Sequence, residues 1–247
     1  MEIYFLGTNG WYASSTGNTV SILIQSNDFY LILDAGDGIH KLDDYMKEDK
    51  PVLIFLSHTH LDHIIGLHQL GKFSFLKELI IFGFKGITRN LNRIIRHPYS
   101  APFDNLPINV KIVELEEGTH NLPFEVKCGL LKHSDPCLGY RFTLENKIIT
   151  YCTDTGLCEN LYKLSEDANV LITECSYKIG QENWNWPHLK PEEAASVALE
   201  SRVEQLLLTH FDASIYQTME DRKNAENKAR EIFPHTTAAY DNLKVEL

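Results

Sequence analysis

Ser57-His58-Thr59-His60-Leu61-Asp62-His63 is the stretch that decides the fold, because four potential metal ligands lie within six residues. The apolar run Pro51-Val52-Leu53-Ile54-Phe55-Leu56 precedes it and predicts a buried strand, and Ile64-Ile65-Gly66-Leu67 follows it with the spacing of a helix start. Side chains two residues apart leave the same side of an extended chain. The imidazoles of His58 and His60 are therefore expected to point together, toward one metal ion.

Asp62 and His63 are adjacent, so their side chains diverge where the chain turns into the predicted helix, and this pair can serve a second ion. Imidazole and carboxylate ligands together favour zinc, with manganese or iron as alternatives, over calcium and magnesium, which prefer oxygen ligands. The cluster contains no cysteine, which argues against a closed structural zinc site. Open sites lower the pKa of a bound water. The stretch therefore predicts a catalytic centre that holds two divalent metal ions.

The composition narrows the class of protein. The chain has 247 residues, 43% of them hydrophobic, and no Pro/Gly/Ser-rich linker, so we expect a single domain over residues 1–247. The first seven residues do not resemble a secretory signal, and no apolar stretch approaches the roughly 20 residues needed to cross a bilayer. Five cysteines without a CxxC pair indicate reduced thiols and a cytoplasmic protein. The net charge of −11 argues against broad, sequence-independent binding of long nucleic acid.

Short apolar runs alternate with helical patterns along the whole chain. Strands are predicted at residues 3–6, 19–25, 29–33, 52–56, 78–82, 109–114, 124–131, 139–144, 148–151, 170–173, 205–208 and 243–247. Helices are predicted at residues 39–47, 63–73, 87–96, 157–164, 191–201 and 219–233. Strand hairpins with helices spaced through both halves predict an α/β fold with two sheets packed face to face and helices outside.

Four further candidate ligands stand where predicted strands end: Asp34, His133, Asp154 and His210. Strand ends can present side chains to a common cleft. Taken singly, the aspartates could be turn formers and the histidines ordinary surface residues. Taken with the histidine-rich stretch, they form one candidate constellation.

In this order the motifs resemble those of the metallo-β-lactamase superfamily, nearly from end to end of the chain. The resemblance implies an αββα sandwich of two mixed sheets with the metals at one edge. By position, it implies a first metal bound by His58, His60 and His133, a second by Asp62, His63 and His210, and Asp154 bridging both. Asp34 would steady the ligand loop. The fourth motif is aspartate where antibiotic-hydrolysing members have cysteine, which disfavours a true β-lactamase.

Other segments resemble the ribonuclease Z-like phosphodiesterase branch of that superfamily. They are Phe5-Leu6-Gly7-Thr8, Gly139-Tyr140-Arg141, Leu171-Ile172-Thr173-Glu174, Glu193-Ala194-Ala195 and Leu208-Thr209-His210-Phe211. The resemblance implies that Glu174 and His188 form a pair that protonates the leaving oxygen, and that they act with Asp62 as the catalytic residues. The alternative is that Glu174 is merely a charged residue at a strand end and His188 a residue of a turn. The segment after His188 reads Leu189-Lys190-Pro191, where the branch has small hydroxyl residues.

Only 21 residues separate His133 from Asp154, and two strands and a turn account for them, so the long arm of transfer-RNA-processing members has no room here. The resemblance therefore predicts a compact dizinc hydrolase that cleaves small phosphodiesters, such as cyclic nucleotides, through a metal-bridging hydroxide, and that forms a homodimer. The alternatives are a ribonuclease Z-type enzyme that processes transfer-RNA 3′ ends, a thioester or lactone hydrolase, and a non-catalytic binding protein.

Two groups of side chains are candidates for holding a substrate. Arg89, Arg93 and Arg96 are spaced to share one face of the predicted helix 87–96, where they could bind phosphate, pair with a partner subunit or face solvent. Trp184 and Trp186 flank the approach to His188 and could line its pocket or be buried in the core.

Overall fold

The computed structural model describes residues 1–73, 78–181 and 185–247. Within these ranges the chain forms sixteen strands: β1 (Glu2–Gly7), β2 (Asn9–Gly10), β3 (Ser21–Gln25), β4 (Tyr30–Leu33), β5 (Val52–Phe55), β6 (Glu78–Phe84), β7 (Asn109–Leu115), β8 (Gly118–Asn121), β9 (Glu125–Leu130), β10 (Leu138–Leu144), β11 (Lys147–Cys152), β12 (Val170–Glu174), β13 (Gln205–Thr209), β14 (Phe211–Asp212), β15 (Thr236–Ala238) and β16 (Lys244–Glu246). The same ranges contain α1 (Leu42–Tyr45), α2 (Leu61–Ile64), α3 (Ile87–Ile94), α4 (Glu159–Ser165), α5 (Pro191–Glu200) and α6 (Met219–Arg230), with 3₁₀ helices at Asp37–Lys41, Ile65–Lys72 and Phe103–Asn105. None of these helices is long and apolar enough to cross a bilayer.

The described strands build two seven-stranded sheets and one short two-stranded ribbon, β2 with β14. The first sheet has the order β16-β1-β3-β4-β5-β6-β7, and the second has the order β15-β13-β12-β11-β10-β9-β8. Each sheet is antiparallel on one side and parallel on the other. The parallel strands are β4 to β7 in the first sheet and β11, β12, β13 and β15 in the second. The predicted α/β class with two mixed sheets is confirmed.

The sheets pack face to face through a shared apolar core. Phe55 of β5 stacks on Phe82 of β6, with ring centroids 4.7 Å apart, and meets Phe142 of the other sheet edge-on at 4.8 Å. Successive strand residues point to opposite faces, so in β12 Ile172 belongs to this core while Leu171 packs in the second core, which α4, α5 and α6 cover. The buried faces on both sides explain why β12 reads as a continuous apolar run.

The helix predicted directly after the histidine-rich stretch differs from the structure. The helix predicted at 63–73 is a short α2, Leu61–Ile64, followed by the 3₁₀ segment Ile65–Lys72. Gly66 explains the difference, because its backbone N–H donates to the carbonyl of Ala35 at 2.8 Å, across the molecule, instead of continuing the α-helical pattern. A side chain at Gly66 would lie 2.3 Å from the carbonyl oxygen of Gly36, so this close approach requires glycine.

Helix α3 ends at Ile94, two residues earlier than predicted, so the expected stripe of three arginines on one helix face is wrong for Arg96. Pro98 lacks a backbone N–H and disfavours helical geometry at the residue before it, which is consistent with this early end. Arg89 and Arg93 lie on α3 and are exposed, and Arg96 is exposed beyond it.

The strand Gly118–Asn121 was not predicted because its sequence, Gly-Thr-His-Asn, has no apolar alternation.

The two sheets are joined beside the histidine-rich stretch. The Tyr140 hydroxyl donates to the carbonyl of Leu56 at 2.6 Å, and the backbone N–H of Leu138 donates to the carbonyl of Ser57 at 2.9 Å. The carboxyl ends of β4 and β5 in one sheet therefore meet those of β11, β12 and β13 in the other.

Candidate metal centre

The seven predicted ligands meet at this edge of the two sheets. Their ligand atoms fall into groups in which all atoms lie within 4.8 Å of one another: His58 with His60 and His133, His58 with His63 and Asp154, and Asp62 with His63 and His210. A fourth group joins His133 and Asp154 to His188. The ligands come from four separate parts of the chain, so only the packing of the two sheets brings them together.

The group around His63 has the spacing of a tetrahedral site. Its Nε2 lies 3.0 Å from Asp154 Oδ2, 3.1 Å from His210 Nε2 and 3.4 Å from Asp62 Oδ2. His210 Nε2 lies 3.2 Å from Asp62 Oδ2 and 3.3 Å from Asp154 Oδ2. Ligand atoms at about 2.1 Å from a tetrahedral ion are about 3.4 Å apart. The four atoms are therefore close to the positions that a divalent ion requires.

The group around His58 has a ring nitrogen that the surrounding protein leaves unpaired. His58 is fully buried, and its Nε2 has no hydrogen-bond partner among the described residues. Close by, His60 Nδ1 lies 3.3 Å from His133 Nε2. Buried polar atoms are nearly always hydrogen-bonded, so an unpaired one requires an explanation. A cation bound by His58, His60 and His133 provides one.

Hydrogen bonds on the outer side of three rings determine which nitrogen is free to bind a metal. His63 Nδ1 donates to Asp34 Oδ2 at 2.7 Å. His58 Nδ1 lies 3.0 Å from the Ser57 hydroxyl, which donates its own proton to Asp34. His210 Nδ1 lies 3.1 Å from the hydroxyl of Ser176, which donates its own proton to the His210 carbonyl. Each Nδ1 is thus the donor, so Nε2 is the atom of each ring that is placed to bind a cation.

His60 has the opposite orientation. Its Nε2 donates to Asp135 Oδ2 at 3.0 Å, and its Nδ1 faces His133. Asp135 is exposed at the surface and itself accepts from the Ser134 hydroxyl at 3.2 Å. Asp135 therefore selects the ring orientation in which His60 can bind the first ion.

We expect Asp135→Asn to weaken metal binding about 10-fold, the lower end of the range for such outer partners, because Asp135 is largely solvated. Metal affinity measured by competition with a chromophoric chelator checks this. Asp104→Asn, which changes an exposed carboxylate outside the cavity, is the matched control and should bind metal like the wild type. Equal affinity in both variants would show that Asp135 does not orient His60.

Asp34 supports the ligand loop from beneath. It is fully buried, and Oδ1 accepts from the Ser57 N–H at 2.7 Å while Oδ2 accepts from the Ser57 hydroxyl and the Tyr151 hydroxyl, each at 2.7 Å. Together with the bond to His63, this carboxylate joins β4, the loop after β5, and β11. Several donors of this kind satisfy the hydrogen-bonding capacity of a buried carboxylate.

The carboxylates of the centre are held in the charged form. Burial raises the pKa of Asp154, but His210 and His63 outweigh it, and the net pKa is well below the usual value. Burial likewise raises the pKa of Asp62, and His63 and His210 again lower it well below the usual value. Ionised carboxylates are the form that binds a cation.

The imidazoles differ from one another. Burial lowers the pKa of His58 well below its usual value and lowers that of His133 to about 4, so both rings are neutral. Burial also lowers the pKa of His63, but Asp62 and Asp154 outweigh it and raise the pKa well above its usual value. A cation bound here must therefore displace a proton from His63.

Three of these strand-end residues have backbone angles in the left-handed region. The φ angles are 54° at Asp34, 48° at Asp154 and 51° at His210. Non-glycine residues rarely adopt this conformation, and it persists where the surrounding structure enforces it, most often at functional sites. Its recurrence at three residues of one cluster is consistent with strain that serves the geometry of a site.

Glu174 and His188 are paired beside the centre, but only His188 reaches the cavity. Glu174 Oε1 accepts from His188 Nδ1 at 2.7 Å and from the Thr155 N–H at 2.6 Å, and Glu174 is fully buried. Burial lowers the pKa of His188, but Glu174 and Asp154 outweigh it and raise the pKa to about 9. Of this pair, His188 is thus the residue that lines the cavity, and Glu174 lies behind it.

A cavity of about 750 Å³ opens over the centre, within the usual size range of ligand pockets. Its described lining includes His188, Trp186, Trp11 and Tyr177 beside the ligands. Trp186 thus lines the pocket, and Trp184 lies outside the described residues. The exposed arginines at 89, 93 and 96 are not part of the lining.

Sequence reasoning missed four residues that support the ligands, Asp135, Ser57, Tyr151 and Ser176, and one that lines the cavity, Trp11. Ser57, Asp135 and Ser176 stand one or two residues from predicted site residues, and a polar neighbour of such a residue is a signal that could have identified them. Tyr151 and Trp11 reach the site only through tertiary packing, so the sequence carries no local signal for them.

The donor set and its geometry fit divalent metal ions. The described ligands are imidazole nitrogens and carboxylate oxygens, with spare lone pairs directed inward and proton donors directed outward. This combination is typical of sites that keep a coordination position open for water or substrate.

Comparisons with known proteins agree with this architecture. A model of the Beta-lactamase superfamily domain matches residues 31–211, which include all seven candidate ligands. A curated ribonuclease Z from Microcystis aeruginosa is 29% identical over 311 residues, covering 100% of this chain and 96% of that protein. A ribonuclease Z from Bacillus cereus is 28% identical over 305 residues, covering 98% of this chain and 97% of that protein.

Solved structures share the fold at lower sequence identity. The metallo-beta-lactamase fold protein YhfI from Bacillus subtilis has a TM-score of 0.80 at 22% identity, covering 99% of each chain. Human tRNase Z, short form, has a TM-score of 0.78 at 21% identity, covering 100% of this chain and 99% of that one. The chain therefore belongs to the beta-lactamase superfamily, as a ribonuclease Z-like member.

Proposed function

We propose that the protein is a metal-dependent phosphodiesterase with two divalent ions, zinc by preference, in the described centre. The observation that carries the proposal is the placement of His188 beside two complete ligand groups: its Nδ1 lies 3.9 Å from Asp154 Oδ1 and 2.7 Å from Glu174. A proton donor next to a cation pair is what cleavage of a phosphate ester requires. The full-length similarity to curated ribonucleases Z supports the same reaction.

The ligands have distinct tasks in this proposal. His58, His60 and His133 would hold one ion, Asp62, His63 and His210 would hold the other, and Asp154 would contact both. When bound, the two cations would supply an activated water for attack on phosphorus and neutralise charge on the phosphoryl oxygens. Asp34, by accepting from His63, keeps the Nε2 atom of that ring directed at the second ion.

His188 would donate the proton to the departing oxygen. Because Nδ1 donates to Glu174, the transferable proton is the one on Nε2. Glu174 cannot move toward the substrate, since its carboxylate also accepts from the N–H groups of Thr155, Ser176 and Leu189. These bonds hold the ring of His188 in one orientation.

We expect His188→Asn to lower kcat by about 10²- to 10⁴-fold for a poor leaving group such as a nucleoside hydroxyl, with metal content unchanged. The loss should be much smaller for bis-p-nitrophenyl phosphate, because nitrophenolate leaves without a proton. Glu174→Gln, which keeps the shape of the partner, is the companion variant and should show a weaker form of the same pattern. Equal losses on both substrates would contradict the role of proton donor.

The substrate we favour is a small phosphodiester such as a cyclic nucleotide. The residues between His133 and Asp154 form β10, a turn and β11, which leaves no inserted arm there. The match to the Microcystis aeruginosa protein runs over 311 positions and this chain has 247 residues, so at least 64 of those positions (311 less 247) have no counterpart here. The net charge of −11 also favours a small substrate over a long nucleic acid.

Processing of RNA 3′ ends is the second candidate, because the curated relatives that match the whole chain are named ribonuclease Z. One activity assay decides between the two. It measures cleavage of cyclic nucleotides, bis-p-nitrophenyl phosphate and a precursor transfer RNA by the wild-type protein, with the metal content determined on the same sample. Activity on the cyclic nucleotides and none on the precursor supports the first candidate. Cleavage of the precursor at its 3′ end supports the second.

The homodimer and the cytoplasmic location stay predictions. Sedimentation equilibrium on the metal-loaded protein tests the first, with a mass of twice 28.3 kDa as the expected result. Fractionation of cells that express the chain tests the second.

A further inference from the structure

The described lining of the cavity contains no lysine and no arginine, although the proposed substrate is an anion. Its charged residues are aspartates and histidines of the centre, together with Asp212. The cations would hold the phosphate and His188 would face the departing oxygen, but no lysine or arginine of the described lining is placed to bind the rest of the substrate. The lining does offer two exposed aromatic side chains, Trp11 and Trp186.

Trp11 is exposed at one side of this cavity. Its side chain is 67% exposed, and its φ of 70° is in the left-handed region that non-glycine residues rarely adopt. Its backbone N–H donates to Asp62 Oδ2 at 2.7 Å, next to the second ligand group. The loop is held from behind by the Asn9 side chain, which donates to the carbonyls of Tyr12 at 3.2 Å and Gly17 at 2.9 Å. An indole held in the open by a strained backbone indicates a function for that ring.

Trp186 lies beside the first ligand group. Its ring centroid is 5.5 Å from that of His60 and 6.1 Å from that of His133, and the residue is 46% exposed. The Tyr177 hydroxyl donates to its carbonyl at 2.7 Å, and Pro187 restricts the backbone that follows. The backbone that carries the second indole is therefore also held in place.

We propose that Trp11 and Trp186 are stacking platforms for nucleobases, so that the enzyme selects diesters of nucleosides over diesters without an aromatic base. The proposal rests on the proposed function. One indole adjoins each ligand group, so a phosphate bound at the centre has an aromatic ring beside it toward either ester group. Stacking requires no charge on the protein and tolerates any base, which suits a cavity whose described lining has no lysine or arginine.

The test compares two esters with the same leaving group: thymidine 5′-(p-nitrophenyl phosphate), which carries a base, and methyl p-nitrophenyl phosphate, which does not. We expect Trp11→Ala and Trp186→Ala each to lower kcat/KM for the thymidine ester by about 10-fold, mainly through KM, and to change that for the methyl ester less than 2-fold. Trp11→Phe and Trp186→Phe should restore most of the loss. Tyr99→Ala, which removes an exposed aromatic side chain outside the cavity, is the control and should match wild type.

Calorimetric titration with adenosine 5′-monophosphate and with ribose 5-phosphate separates this proposal from the proposed function. The nucleotide should bind more tightly to wild type, and the alanine variants should lose that difference. If no phosphodiester is cleaved but this base-dependent binding is observed, the stacking platforms stand and the phosphodiesterase proposal fails. The stacking proposal is overturned if wild type hydrolyses the thymidine and methyl esters equally well. It is also overturned if Trp11→Ala leaves hydrolysis and binding unchanged and alters only the sedimentation coefficient.

Discussion

Replacing Asp154 by alanine is expected to remove at least one bound metal ion per chain and to lower phosphodiesterase activity by about 10³-fold or more. Its Oδ2 lies 3.0 Å from His63 Nε2 and 3.3 Å from His210 Nε2, and it belongs to ligand groups on both sides of the centre. Its loss therefore affects both proposed ions. Elemental analysis of the purified variant and turnover on bis-p-nitrophenyl phosphate measure the two effects on one sample.

Asp154→Asn separates charge from shape in this experiment. Asparagine tolerates the left-handed conformation at this residue, where φ is 48°, but it cannot neutralise a cation. We expect it to lose metal nearly as alanine does. Asp104→Ala, at an exposed carboxylate outside the cavity, should keep full metal content and activity. An Asp154→Ala enzyme with wild-type turnover would refute the site.

Replacing Asp34 by alanine is expected to lower the free energy of unfolding of the metal-free protein by about 3–5 kcal/mol. Four buried donors would lose their acceptor: the N–H and hydroxyl of Ser57, Nδ1 of His63 and the hydroxyl of Tyr151, each at 2.7 Å. Urea denaturation in the presence of a chelator measures the effect, because bound metal would otherwise add its own stabilisation.

Two companion variants identify the cause of that loss. Asp34→Gly removes the same carboxylate without placing a Cβ at a φ of 54°, so a similar loss would assign the effect to the hydrogen bonds. Tyr151→Phe removes only one donor and should cost about 1 kcal/mol. A loss below about 1 kcal/mol in Asp34→Ala would show that the carboxylate does not hold the ligand loop.

The sequence indicated most of the sheets and the candidate ligands, and the reasons are local. Strands such as β5 and β12 are buried on both faces, so they read as apolar runs whatever surrounds them. Histidines and aspartates directly after such runs are conspicuous, as at His58 and Asp154. The structure brings all seven candidates together, and their roles as ligands stay a prediction until metal is measured.

Other features depended on contacts that no local pattern contains. Most of the helix predicted at 63–73 is a 3₁₀ helix, because the Gly66 N–H donates to the Ala35 carbonyl. The predicted helix face with three arginines is not formed, because α3 ends at Ile94, before Arg96. Glu174 and His188 were predicted to form a pair, and the structure joins them by a 2.7 Å hydrogen bond with only His188 in the described lining of the cavity. Their roles in catalysis stay predictions.

Residue types and their spacing alone determined what kind of site this protein can build: imidazoles and carboxylates at the ends of apolar strands, with divalent metal ions as the ligand class. Only the tertiary structure decided which ring nitrogen is free, which residues hold the rings, and that Trp11 and Trp186 face one cavity. The physical reason is that ligand chemistry belongs to single residues. Orientation and burial arise only when the two sheets pack against each other.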